Sequence, residues 1–168
     1  MYKAIFTGVG NRGRYWWRQI QGRPDVQVAA CVEPAEAMRQ RAMKELNIPA
    51  GLFYESLDAA IKGVKADFVL DVTPPAVHRQ IAEKAFAAGL HVLGEKPISD
   101  DYETARQIVA MGTKARRIHM ITQNYRFNDC ARTLRKALAG GRIGEVGQCD
   151  VQFYKAWADA PGDRKSVV

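Results

Sequence analysis

The stretch "FTGVGNRGRYW", residues 6–16, decides the fold. Gly8, Gly10 and Gly13 set out the spacing G-x-G-x-x-G, with Asn11 and Arg12 between the last two. Alone, that spacing suits a flexible surface loop as well as a nucleotide-binding turn. The flanks separate the two. "YKAIFTGVG" (2–10) is a β-rich run ending in glycine, and "RGRYWWRQIQG" (12–22) opens a helix that stops at Gly22. An acid, Glu33, lies 20 residues past Gly13, at the end of a second strand-like run. Strand, glycine turn, helix and a later acid are the parts of a dinucleotide-binding unit.

Each residue then has a physical task. Gly8 permits the tight turn. Gly10, without a Cβ, lets the backbone approach a pyrophosphate. Gly13 lets the helix pack closely on the strand. The helix N-terminus offers N–H groups and the positive end of its dipole to phosphate. Arg12 and Arg14 either add charge there or stay solvated. Glu33 accepts hydrogen bonds from ribose hydroxyls and repels a 2′-phosphate, which favours NAD. Arg39 or Arg41, if it reaches a phosphate, keeps NADP open as a second cofactor.

Outward from this turn, strands and helices alternate. "DVQVAACVE" (25–33) is apolar on both faces, with Val26, Val28, Ala30 and Val32 on one and Ala29 and Cys31 on the other. Such a run suits a parallel sheet covered on both sides. Helices follow over 34–46, with Pro at the start, and over 55–63. A buried strand covers 66–72, and a helix covers 74–89 with the apolar stripe Val77, Ile81, Ala85 and Ala88. A strand at 90–97 is cut off by Pro97. A helix over 99–115 is capped better by Asp100 with Glu103 than by Ser99 with Tyr102. A short strand spans 117–123. This alternation predicts an α/β fold, a Rossmann doubly wound parallel sheet over residues 1–123.

The pattern changes from residue 124. A helix over 128–141 closes on Gly140 and Gly141. A strand over 145–157 places Cys149, Val151, Phe153 and Trp157 on one face. No further strand follows it. Residues 124–168 therefore read as the incomplete start of a second, α+β domain. An unpaired strand seeks a partner, so a homo-oligomer joined through 145–157 is expected.

Composition narrows the class. The chain has 168 residues, 47% of them hydrophobic, which is enough to bury a real core. No apolar run reaches the ~18–20 residues of a membrane helix. "MYK" leads straight into a strand pattern, with no sign of a signal peptide, and points to the cytoplasm. The three cysteines, Cys31, Cys130 and Cys149, are widely spaced and read as buried thiols, not as a metal or disulfide framework. Lys114, Arg116, Arg117, Arg126, Arg132, Arg135, Lys136 and Arg142 make a basic stretch relieved only by Asp129. No nucleic-acid motif accompanies it, so a solvated face or an acidic protein neighbour is the better account than nucleic acid.

Four later stretches complete a wider pattern: "DVTPPAVH" (71–78), "AGLHVLGEKPIS" (88–99), "TQNYRF" (122–127) and "GRIGEVG" (141–147). With "GVGNRG" they resemble the Gfo/Idh/MocA oxidoreductases, over nearly the whole chain to Trp157. The resemblance implies a Rossmann domain followed by an α/β domain on a large, mostly antiparallel sheet. It implies NAD(P)-dependent hydride transfer on a sugar, inositol or related polyol. Thr73, Pro74 and His78 then belong to the loop beside the cofactor. Glu95, Lys96 and Pro97 form the E-K-P motif, with Lys96 as the catalytic residue touching both cofactor and substrate. Tyr125 and Arg126, after Asn124, run toward the substrate.

The residues keep blander readings too. His78, early in a helix, suits capping or packing as well as cofactor contact. Arg126 also fits a plain surface arginine. Trp16 and Trp17 read as packing residues, and His91 and His119 as parts of the sheet. The family's D-x-x-x-H pair has no counterpart after Trp157, so cofactor binding without efficient turnover is the expectation for this chain. A non-catalytic NAD-binding sensor is the alternative.

Overall fold

The computed structural model describes residues 1–152. Six strands form one parallel sheet in the order β3-β2-β1-β4-β5-β6. They are β1 (Tyr2–Thr7), β2 (Val26–Val32), β3 (Phe53–Tyr54), β4 (Phe68–Asp71), β5 (His91–Gly94) and β6 (His119–Ile121). Between them run α1 (Asn11–Ile20), α2 (Glu36–Leu46), α3 (Leu57–Gly63), α4 (Pro75–Ala87) and α5 (Tyr102–Ala115). After β6 come a short 3-10 turn, Asn124–Phe127, and α6 (Asp129–Ala139). The two-residue β3, and the 3-10 turn Ala50–Leu52 before it, carry no period of their own and escape a sequence reading.

The sheet is buried on both faces. On one side Ala4, Phe6, Cys31 and Leu70 pack against Trp17 and Ile20 of α1 and Ala42 and Leu46 of α2. Phe6 and Trp17 meet edge to face at 6.1 Å between ring centres. The Trp17 indole donates to Leu46 O at 3.1 Å, supplying a donor at the end of α2. On the other side Ile5, Ala30, Val32, Val69 and Val92 pack against α3, α4 and α5.

This division corrects the alternation expected for β2. Val26 and Val28 join Cys31 on the α1–α2 side, whereas Ala30 and Val32 face α3 and α4. The register explains it: Ala4 pairs with Val28, but Ile5 pairs with Ala30. Ala29 is thus an extra residue in β2, and one extra residue moves everything beyond it to the opposite face.

Smaller differences concern ends and caps. The α5 N-cap is Asp101, whose carboxylate accepts from Thr104 N at 2.8 Å, rather than Asp100 or Ser99. Ser99 instead donates to Asp100 at 3.1 Å. Ala88 lies past the end of α4 and is exposed; His78, Ala82 and Phe86 complete the buried face.

The chain divides into two compact units, Met1–Gln123 and a second beginning at Asn124. No residue of α6 is buried. Cys130 and Cys149 are accordingly exposed, against expectation, and only Cys31 is a buried thiol, pushed up to about 12 by burial. The expected strand over 145–157 is not formed over 145–152, and 153–157 lie outside the described residues. A strand exists only as half of a hydrogen-bonded pair, and residues 145–152 pair with no other strand among the described residues. Among the described residues no helix is long and apolar enough to cross a membrane.

Candidate cofactor site

From β1 the chain winds outward through β2 and β3, then returns to the other side of β1 for β4, β5 and β6. The carboxyl ends of β1 and β4 therefore flank a crevice where the winding reverses, the usual ligand position in such sheets. The glycine turn stands at its base.

Gly8 has φ +86°, a conformation glycine adopts freely. A Cβ there would also lie 2.9 Å from Val72 O. Gly13 is constrained by packing: a Cβ would lie 2.0 Å from Gly8 O. Gly10 caps α1 without a side chain, and nothing lies within 4 Å of where its Cβ would be. That open space beside the free amides of the first helical turn suits the backbone approach of an anion.

Glu33 is anchored just past β2. Its carboxylate accepts from Val9 N at 3.3 Å and from Ala35 N at 3.1 Å. A cleft of about 340 Å³ opens between Glu33 and the loop after β4, lined by Gly8, Pro34, Leu57, Thr73, Pro74 and Ile81 among others. One end is acidic and the wall apolar, which matches a ribose joined to a flat aromatic base.

Asp71, at the end of β4, is a residue the sequence reading passed over. It is only 2% exposed. Its Oδ1 accepts from Thr7 Oγ1 at 3.1 Å, Thr73 N at 3.0 Å and Thr73 Oγ1 at 2.6 Å. One carboxylate thus ties the end of β1 to the loop that begins α4. The available signal was an acid inside an apolar run, "FVLDV", because a buried charge must be hydrogen-bonded.

His78 is buried, and both its ring nitrogens face carbonyls: Nδ1 lies 3.0 Å from Pro97 O and Nε2 2.9 Å from Thr73 O. A neutral imidazole donates to one of these, and an imidazolium to both. Either way the ring braces the loop after β4 against the E-K-P loop.

Glu95 is nearly buried and accepts from Trp16 Nε1 at 2.7 Å and Arg12 Nε at 2.9 Å. Burial pushes its carboxyl up, but the two hydrogen bonds and the Arg12 charge outweigh burial and hold it below its ordinary value. Trp16 is therefore more than packing, since its indole fastens α1 to the E-K-P loop. Lys96 follows, exposed, and its ammonium forms no hydrogen bond or ion pair with another described residue. Nearby on β6, His119 is held below its ordinary value by burial; the Asp71 charge opposes that and His78 adds to it.

The first unit thus gathers Gly8, Gly10, Asn11, Arg12, Gly13, Glu33, Thr73, Pro74, His78, Glu95 and Lys96 at the carboxyl end of its sheet. Tyr125 and Arg126 belong to the second unit, in its 3-10 turn. Tyr125 is exposed, and the Arg126 guanidinium lies 5.7 Å over the Phe127 ring. The other arginines weighed for phosphate are engaged. Arg14 pairs with Glu45 at 2.8 Å, Arg41 with Glu45 at 3.0 Å, and Arg39 sits among acids and carbonyls.

Residues 2–123 match the model of the oxidoreductase family with an NAD-binding Rossmann fold. The chain is 30% identical over 166 residues to uncharacterized protein y4oX of Sinorhizobium fredii, covering 93% of this chain and 46% of that protein. It is 32% identical over 145 residues to inositol 2-dehydrogenase of Leifsonia xyli, covering 83% and 42% respectively. The structure of scyllo-inositol dehydrogenase from Lactobacillus casei, with bound NAD(H) and scyllo-inositol, is similar with a TM-score of 0.76 and 26% identity. That likeness covers 86% of this chain and 43% of the other. The chain spans less than half the length of the relatives it matches.

Proposed function

The chain belongs to the Gfo/Idh/MocA oxidoreductase family, and from that premise we propose that residues 1–123 hold NAD for hydride transfer with a sugar or polyol hydroxyl. The observation that carries this reading is the glycine turn, with Gly13 packed against Gly8 and open space beside Gly10. In this reading the amides around Gly10–Gly13 hold the pyrophosphate and Glu33 the adenosine ribose. Thr73 and Pro74 wall the crevice, kept in place by Asp71 and His78. Bound NAD would supply the hydride acceptor.

Lys96 is the proposed catalytic residue. Its ammonium donates a hydrogen bond to the reacting hydroxyl oxygen and stabilises the negative charge that develops there as the hydroxyl proton passes to water. Tyr125 and Arg126 are proposed to contact the substrate, whose polyol class rests on the inositol dehydrogenases among the relatives. For the 168 residues alone we propose binding without efficient turnover, since they span less than half the relatives' length.

Titration of the chain with NADH, read by energy transfer from tryptophan, tests binding. NADH formation from NAD and inositols, in wild type and Lys96→Ala, tests turnover. Saturable binding with little NADH formed is expected. A folded chain that binds no NADH contradicts the reading, and rapid NADH formation contradicts its second part.

A further inference from the structure

Arg39 sits where a cation would be sought for a 2′-phosphate, six residues past Glu33 on the first turns of α2. Its side chain is 11% exposed, and all five of its N–H donors are occupied. Nη1 donates to Glu33 O at 2.8 Å and Pro34 O at 2.9 Å. Nε donates to Glu36 at 3.1 Å, and Nη2 donates to Glu36 and, at 3.3 Å, to Glu55. An arginine that reads phosphate needs two parallel donors free to form a fork. None is free here. The two carboxylates that hold it also add negative charge to the rim where Glu33 already stands, and Glu55 lines the cleft itself. The other cation on that wall, Lys84, is bound to Asp58 at 2.5 Å.

We propose that Glu36 and Glu55 set the dinucleotide specificity of this chain by consuming Arg39, which serves as a strut for the Glu33–Pro34 turn and is withheld from phosphate. The chain therefore rejects a 2′-phosphorylated dinucleotide on two counts, repulsion at the rim and the lack of a receiving cation. This inference rests on the reading of the cleft as the adenosine end of the NAD site.

The test is calorimetric titration of the 168-residue chain, wild type and Glu36→Gln/Glu55→Gln, with NAD and NADP separately. Both acids have mostly exposed side chains, so the double variant keeps the core intact. Wild type should bind NAD with NADP at least about tenfold weaker, one strong charged contact's difference. In the double variant the ratio of the two dissociation constants should narrow by about fivefold or more, as one fork of Arg39 becomes free. A second variant, Arg39→Met, separates strut from clamp. It should weaken NAD at least as much as NADP, through the loosened turn. An unchanged NADP to NAD ratio in the double variant overturns the proposal while leaving NAD binding intact. So does equal binding of both by wild type, or an Arg39→Met variant that loses NADP alone. Failure of a folded wild-type chain to bind either nucleotide overturns the cofactor-site reading and this inference with it.

Discussion

Residues before and after Asn124 obey the same local rules with opposite results. α1 and α6 are both amphipathic, 10 and 11 residues long. The apolar side of α1 buries Trp17 and Ile20 beneath the sheet, whereas Leu134 and Leu138 of α6 stay exposed. Ile143, Val146 and Val151 beyond it are exposed as well. Local periodicity makes a helix in both places, but only a parallel sheet with its own crossover helices gives the first one something to bury against. Stability and the cofactor site should accordingly reside in the first unit, and substitutions can break or sharpen that contrast.

The largest effect belongs to the core of the first unit. Phe6→Ala removes a fully buried ring held edge-on by Trp17, and should cost about 3–5 kcal/mol in chemical denaturation. Next comes the turn itself. Gly13→Ala drives a methyl against Gly8 O, and should cost about 1–3 kcal/mol by overpacking while abolishing measurable NAD binding in titration. A Gly13→Ala variant that binds NAD normally would remove the geometric basis of the site.

A smaller effect follows from Glu95. Its carboxyl is held below the ordinary 4.5 in the folded chain, so its contribution is present at neutral pH and lost as pH falls below about 4.5 through the folded value. In thermal melts between pH 7 and 3, Glu95→Gln should lie below wild type at neutral pH and converge with it in acid. A gap that widens in acid would contradict the Trp16 and Arg12 bonding. The smallest effect marks the other region. Leu134→Ala should change unfolding free energy by less than about 0.5 kcal/mol, as for an ordinary surface site. A loss comparable to Phe6→Ala would show that α6 is buried after all and end the contrast.

The same contrast explains what the sequence made legible. Alternating strands and helices, Pro and Gly at helix ends, and the glycine turn are local signals, and they place the fold and the crevice. The extra residue Ala29 in β2 is invisible because it expresses the register chosen against β1. The Asp71 hub was within reach, as an acid in an apolar run with Thr73 two residues on, yet its third donor, Thr7 at the end of β1, lies 64 residues away and meets it only in the fold. Trp16 read as packing because its partner, Glu95, lies 79 residues away. The strand expected over 145–157 is not formed over 145–152, where alternation alone, without a pairing partner, does not make a strand.

The central claim is that the glycine turn and the loops after β2 and β4 form one NAD site. Hydrogen exchange of the backbone amides, with and without saturating NAD, tests it most directly. The account predicts slowed exchange at 8–14, at 33–35 and at 73–78, with residues of α6 unchanged. Unchanged exchange in all three segments of a folded chain, or protection centred on α6, would contradict it.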